Sequence, residues 1–292
     1  MLLSIITLNY KKPHLTLACL ESLYVQFRDE FEEGTVELLI VDNASGDDSV
    51  DVLRKQIKDK SYKNVTLIPN GENAGFSAGC NLGAASAKGK YFLFLNNDTV
   101  VKDKGLLAMA AYMDEHSDVA IMGGQLHNPD GSLQPSAGEF YTPLYAFALL
   151  LGLQKYGLID KNPQKITQVS WVKGGLFMIQ SDVFKKLKGF DERIFMYTED
   201  MELCYRAKLA GYKTYFYPHI LVQHAEQGSS SRGFAIVNIY KNLLYFYKKH
   251  RPRREYLLVK SLMKAKAGML VVIGLLTGNE YLVKTYREAM KF

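Results

Sequence analysis

Cysteine is scarce in this chain. Cys19, Cys80 and Cys204 stand far apart among 292 residues, and no C-x-x-C pair occurs. An odd, sparse set of this kind argues against a disulfide framework and suits reduced thiols of a cytosolic protein, used as small core residues. Long apolar runs are missing too. The two longest, Leu144–Leu153 and Ala267–Leu276, fall well short of the roughly 20 residues that span a bilayer, so no membrane crossing is expected. The N-terminal stretch MLLSIITLNYKK lacks a basic leader and breaks its apolar run at Asn9, so it does not read as a signal peptide. Internal repeats, low-complexity tracts and long linkers are absent. Two nucleotide signatures are absent as well. No G-x-G-x-x-G follows the first apolar segment and no G-x-x-x-x-G-K-[ST] occurs anywhere, which excludes a dinucleotide Rossmann site and a P-loop. A nucleotide bound here would need loops for its base and ribose, and some other means of neutralising its phosphates.

What is present suits one large α/β domain, or one domain with an appendage. Hydrophobic residues make up 48% of the chain, enough for a sizeable core. Charge is unevenly spread: Lys241–Phe292 carries twelve Lys and Arg against three Asp and Glu, a net +9, so with +6 overall the first 240 residues are net −3. The tail is therefore a separate electrostatic object.

Four short apolar segments, Leu2–Thr7, Val36–Val41, Asn64–Pro69 and Tyr91–Leu95, alternate with helix-like stretches Pro13–Phe27, Asp47–Lys58 and Phe76–Ala87. This pattern predicts a parallel sheet covered on both faces, with ligands bound beyond the carboxyl ends of its strands. Each strand ends in polar groups: Thr7, Asn9 and Tyr10; Asp42, Asn43 and Ser45; Asn70 and Asn73; Asn96, Asn97 and Asp98. Further on, Gln125–Gln134 reads as a hairpin around Pro129-Asp130-Gly131, and Gln168–Gln180 as two strands separated by a glycine break. Glu199–Gly211 reads as a helix capped by Gly211, Tyr212–His224 as a strand interrupted by Pro218, and Gly233–Lys249 and Arg254–Leu276 as helices.

Four features carry chemistry. Asp98, ending a buried strand, suits either a turn cap or an oxygen ligand for a divalent cation on a pyrophosphate. In Gly71–Ala85, Gly75 and Gly79 allow close backbone approach, and the following helix offers N–H groups to an anion. Glu199 and Asp200 open a helix, where they serve as caps or as a general base; adjacent positions point them in different directions. His224, before AEQGSSSRG, is either structural or a metal ligand beside a carboxylate.

Taken in order, T-x-N-Y, V-D-N-x-S-x-D, N-x-G-F-x-x-G-x-N, L-N-N-D, W-x-x-G-G, F-x-Y-x-E-D-x-E-L-C-x-R and a late His form a set. Over about Leu2 to Phe234 it resembles family 2 glycosyltransferases and, within them, the rhamnosyltransferase-like branch. The resemblance implies an α/β GT-A fold with a mostly parallel central sheet flanked by helices and a C-terminal helical extension. It implies a catalytic domain over 1–235, with a nucleotide-binding half 1–100 and an acceptor half 101–235, and a basic extension over 236–292. It implies inverting transfer from a nucleotide-activated sugar, with dTDP-rhamnose the first donor candidate and a UDP-hexose the rival. Thr7, Asn9, Tyr10, Asp42, Ser45, Asn73, Gly75, Phe76, Asn97 and Asp98 would line the donor site, Asp42 meeting the base. Trp171, Gly174 and Gly175 would shape the sugar and acceptor pocket. Asp200 would be the base, with Glu199 beside it, and Asp98, His224 and Asn96 would face a Mg2+ or Mn2+ ion. The usual first Asp of D-x-D is Asn96 here, a neutral ligand at best.

The acceptor implied is a glycan or lipid-linked glycan of a cell-surface polysaccharide, at the inner face of the cell membrane. Two rivals from other classes are a sugar-phosphate nucleotidyltransferase, which would carry a Gly-rich, Arg-containing loop where LNYKKPH stands, and a sugar-nucleotide-binding protein without catalysis. In the tail, Leu258, Leu262, Ala265, Met269, Val272 and Leu276 form one helical stripe, and Lys260 and Lys264 share another part of the surface. That stripe either packs on the domain or, aided by Lys248–Arg254, lies on an anionic membrane. No nucleic-acid motif accompanies the charge.

Overall fold

The computed structural model describes residues 1–140, 142–150, 160–225 and 231–292. Residues 151–153 of the run Leu144–Leu153, and 226–230 of the stretch after His224, lie outside the described residues. In chain order the elements are β1 (Leu3–Asn9), α1 (Pro13–Gln26), α2 (Arg28–Glu32), β2 (Val36–Asp42), α3 (Ser49–Asp59), β3 (Val65–Pro69), α4 (Phe76–Ser86), β4 (Tyr91–Leu95), β5 (Thr99–Val101), α5 (Gly105–Glu115), β6 (Val119–His127), β7 (Leu133–Gln134), β8 (Ala137–Gly138), α6 (Pro143–Leu150), β9 (Asp160–Lys161), β10 (Thr167–Val169), β11 (Trp171–Val172), β12 (Leu176–Gln180), α7 (Ser181–Lys186), α8 (Glu199–Leu209), β13 (Lys213–His224), α9 (Arg232–His250), α10 (Arg253–Thr277) and α11 (Glu280–Ala289). Two compact units are present: one holds Met1–Gly138, Lys161–Phe195 and Glu199–Ser229, the other Glu139–Asp160, Met196–Thr198 and Ser230–Phe292.

The first unit is built on a sheet of order β10-β13-β6-β12-β4-β1-β2-β3, with β5 added on β13 and β7 on β6. The continuous apolar runs take the middle. β2 is buried at all seven positions, whereas β3, at the edge, is only partly covered. One face carries α1 and α5, whose Leu20, Leu23, Leu106 and Met109 pack with Leu3, Ile5, Leu38 and Leu93 in one core. Each such fully buried side chain stabilises the fold by about 1.5–3 kcal/mol. The other face carries α4, which lies so close to β1 that a Cβ on Gly79 would come within 2.6 Å of Leu8. Gly79 thus serves helix–sheet packing, and not the approach of a ligand.

The four strands of the first hundred residues are parallel as the alternation predicts, and the sheet becomes mixed only beyond them. β3, β2, β1 and β4 run parallel, as do β6 and β13, but β12 is antiparallel to both β4 and β6. The reversal has a positional consequence. β1, β2, β4 and β13 end at one edge of the sheet, and β12, running the other way, begins there. Its leading glycines, Gly174 and Gly175, therefore arrive beside the polar ends of the other strands. The hairpin forms as predicted, with Leu126 opposite Gln134 and Gly131 at φ 86 in its turn. Around Pro218 the β13 ladder shifts register, and the strand resumes to set His224 opposite Thr99.

In the second unit Ser231 caps α9 and Asn279 caps α11, each side chain accepting an N–H of the first turn. α10 turns its Val259, Met263, Ala267 and Gly274 inward, with Gly274 against α11. The stripe is on the opposite side of the helix, where Leu258, Met269, Val272 and Leu276 are exposed.

Candidate active site

At the carboxyl ends of β1 and β2 a buried polar network forms. Asn9 Nδ2 donates to Asp42 Oδ2 (2.7 Å), while Ser45 gives its N–H to Asp42 Oδ1 (3.0 Å) and its hydroxyl to Asp42 Oδ2 (2.7 Å). Three donors hold the Asp42 carboxylate, and Oδ1 keeps a second acceptor position for a ligand N–H. Thr16 Oγ1 donates to Asn9 Oδ1 (2.8 Å) and accepts from Asn97 Nδ2 (2.9 Å), which ties this network to the end of β4. The hydroxyl of Thr7 is buried and has no protein partner. Tyr10 is half-exposed, with Lys11 Nζ 5.4 Å from its ring centre.

Asn43 organises the next loop. Its Nδ2 donates to Asn73 Oδ1 (3.0 Å) and to the Gly75 carbonyl (3.1 Å), and its Oδ1 accepts from Asn70 (3.0 Å). Gly75 stands at φ 96, and a Cβ there would lie 2.3 Å from the Phe195 carbonyl oxygen. That carbonyl also accepts the Phe76 N–H (2.6 Å). The first amide of α4 is thus committed to Phe195 and is not offered to an anion.

Asp98 is buried, and its Oδ1 lies 3.2 Å from His224 Nε2. His224 Nδ1 pairs with Gln134 Oε1 (2.8 Å). An amide oxygen only accepts, so Nδ1 carries the hydrogen, and in the neutral ring Nε2 keeps its lone pair. Two electron-pair donors therefore converge at one point, an arrangement that suits a cation, and Gln134 supplies the orienting contact that metal-binding imidazoles use. Asn96 turns its amide nitrogen toward the same Nε2 (3.2 Å). Among the described residues no group of three or more His, Cys, Asp and Glu side chains could by itself hold a metal. A cation here would draw its remaining ligands from elsewhere.

The glycine pair joins this corner to the carboxylate pair. Gly175 gives its carbonyl to the Asn96 N–H (3.2 Å), and Gly174 donates its N–H to Asp200 Oδ2 (2.8 Å). Met201 N–H donates to Asp200 Oδ1 (2.7 Å). Glu199 is buried and its Oε2 has no partner. Burial, and then the neighbouring Asp200, push the Glu199 carboxyl up to about 8, and burial also raises Asp200 against its two backbone donors. The pair thus keeps one proton near neutral pH. The two N–H donors on Asp200 favour its charged form, so Glu199 is the better holder of that proton. Trp171 is buried with its indole against Gly138. The three cysteines are buried and free, and burial lifts Cys19 and Cys204 to about 12, which removes them as nucleophiles.

A carboxyl raised in the folded state stabilises the fold fully at low pH, and that contribution disappears as pH climbs through the raised value. Between about pH 5 and pH 8 the parent should therefore lose about 1–3 kcal/mol more stability than Glu199→Gln. Thermal unfolding of both across that range reads the difference; equal slopes would mean that Glu199 is not protonated in the fold.

Asn43, Thr16 and Gln134 belong to the site without having been singled out. Asn43 lies inside the V-D-N string and was legible there. Gln134 carries no local signal, since its partner His224 is 90 residues away.

With this geometry, the comparisons are decisive on family. The sequence profile described as "Glycosyl transferase family 2" matches residues 4–187. The chain belongs to that family. This family 2 enzyme is 28% identical to Rhamnosyltransferase WbbL of Escherichia coli K12 over 59% of its own length and 68% of the relative's. It is 26% identical to the N-acetylglucosaminyl-diphospho-decaprenol L-rhamnosyltransferase of Mycobacterium tuberculosis, over 68% of its own length and 70% of the relative's. Among solved structures, GalNAc-T7 with UDP, GalNAc and Mn2+ superposes with a TM-score of 0.63 at 17% identity, covering 84% of this chain and half of that one. The expected GT-A fold holds, and so does the rhamnosyltransferase-like branch.

Proposed function

We propose that this glycosyltransferase inverts the anomeric centre while moving L-rhamnose from dTDP-rhamnose to a hydroxyl of a lipid-linked glycan, in cell-surface polysaccharide synthesis at the inner face of the cell membrane. The observation that carries the reading is the Gly174-Gly175 bridge, which couples the doubly braced Asp200 to the Asp98–His224 corner. Rhamnosyltransferase relatives support the donor, and a decaprenol-linked relative supports the acceptor.

In this reading residues 1–100 hold the donor and 101–235 the acceptor, while 236–292 form an extension. Asp42 accepts from the base, and Asn9, Ser45, Asn97 and Thr16 keep its carboxylate aimed. Thr7 and Tyr10 line the nucleoside pocket, and Asn73, Gly75 and Phe76 border the ribose. Trp171, Gly174 and Gly175 shape the sugar and acceptor pocket. Asp98 and His224 would hold Mg2+ or Mn2+, which offsets negative charge on the donor's diphosphate; Asn96 orients the imidazole, or ligates if its amide is turned over. Asp200 takes the proton of the acceptor hydroxyl, whose oxygen forms a bond to the anomeric carbon from the face opposite the leaving group. The carbon–oxygen bond to the diphosphate breaks, and the nucleoside diphosphate departs with that electron pair. A single displacement inverts configuration. Glu199, protonated beside Asp200, adds no second negative charge to the site.

Incubation with dTDP-rhamnose or UDP-hexoses, a polyprenyl-diphosphate-GlcNAc acceptor and Mn2+ tests this. Release of dTDP with an inverted rhamnosyl product is expected, as is a rise in melting temperature with dTDP-rhamnose. Turnover of UDP-hexoses alone would transfer the assignment to that donor, and donor binding without any turnover would reduce the protein to a binder.

A further inference from the structure

The strongest unexplained surface is the outer side of α10. Leu258, Met269, Val272 and Leu276 are 51%, 55%, 53% and 82% exposed, and they recur at helical spacing along about five turns of one face. The opposite face, through Val259, Met263 and Ala267, is fully buried. α10 is therefore apolar on both sides, and among the described residues only one side has a partner. An apolar stripe in water needs a cover.

Its borders say which. Lys264 flanks the stripe on one side and Lys266 on the other, and burial depresses the Lys266 ammonium. Arg253 and Arg254 stand at its start, Lys284 and Arg287 follow on α11 and Lys291 just beyond it, and the segment Lys241–Phe292 is net +9. A second copy laid on the stripe would bring this same charge against itself. An anionic bilayer offers acyl chains to the stripe and phosphates to the flanking cations at once. No described helix is long and apolar enough to cross a membrane, which suits α10 lying in the interface and not through it.

We infer that the outward stripe of α10, bordered by Lys264 and Lys266, is a membrane-docking surface selective for anionic lipid. It stands on surface chemistry and is independent of which donor the enzyme uses. Such a surface holds the enzyme in the plane where a lipid-linked substrate is found.

Co-sedimentation of the full chain with phosphatidylcholine vesicles, with and without phosphatidylglycerol, tests it. Binding only to the anionic vesicles, weakened by salt, is expected. Met269→Glu with Val272→Glu, and separately Lys264→Glu, should each lower the bound fraction's partition coefficient more than about tenfold. Both changes sit on exposed positions, and unchanged thermal unfolding and donor-induced stabilisation would show that fold and site are intact. Three results would overturn the inference: no binding by the parent, equal binding by parent and variants, or a lipid-free dimer in sedimentation velocity that the double variant dissolves. The last would assign the stripe to a second copy.

Discussion

Asp200→Asn is expected to cut the rate of glycosyl transfer by about 10²–10⁴-fold, the usual weight of a positioned general base, while donor-induced stabilisation persists. The geometry sharpens what else must be measured. Both Asp200 oxygens accept backbone N–H groups, from Gly174 and Met201. An amide presents one oxygen and one NH2 group, so one of these donors would face another donor. That mismatch costs about 1–3 kcal/mol of its own. The variant should therefore melt earlier than the parent, and its activity must be read well below its melting temperature. A rate loss of the stated size, with donor still raising the melting temperature, identifies the base. Asp200→Asn turning over within a few-fold of the parent would remove Asp200 from the chemistry and leave the protonated Glu199 no role beside it.

The same pair shows where the sequence was legible and where it was not. Adjacent carboxylates at a helix start announce themselves in any reading of Phe195–Arg206, but nothing in their spacing says which one is ionised. That depends on Gly174, which lies 26 residues away and reaches Asp200 only because β12 reverses direction in the sheet. Strand–helix alternation through the first hundred residues was legible because the central strands are buried on both faces and so are apolar throughout. β12 was legible as a strand but not as an antiparallel one, because periodicity carries no direction. α5, β6 and α11 gave weaker signals: Gly105–Glu115 and Val119–His127 abut with scarcely a turn between them, and α11 follows Gly278 closely. The stripe on α10 was legible as a stripe, yet which face turns inward was decided by Gly274, whose missing side chain lets α11 approach. Asn43 was readable within V-D-N. Gln134 was not, since a hairpin glutamine acquires meaning only once β13 delivers His224 to it.

Gln134 leads to the second large effect. If Asp98 and His224 hold the cation, their loss should not be equal. Asp98→Ala removes the only carboxylate that the described residues place at this corner and should lower transfer at saturating donor by about 10²–10³-fold, the range seen when one preorganised stabiliser of developing charge is removed. His224→Ala removes a neutral ligand, and its deficit should shrink as Mn2+ is raised. Gln134→Leu discriminates a metal role from a packing role. It leaves both proposed ligands in place but frees Nδ1, so the imidazole loses the partner that fixes its tautomer; apparent Mn2+ affinity should fall about 10–100-fold, as for other outer partners of ligating histidines. A purely structural Gln134 would lower the melting temperature and leave the Mn2+ dependence of the surviving activity unchanged. The decisive measurement is a Mn2+ titration of transfer for the parent and the three variants. Coincident midpoints would separate Asp98 and His224 from metal binding, whereas a right-shifted curve for Gln134→Leu with an undiminished plateau ties the hairpin, the strand end and the leaving diphosphate into one electrostatic device.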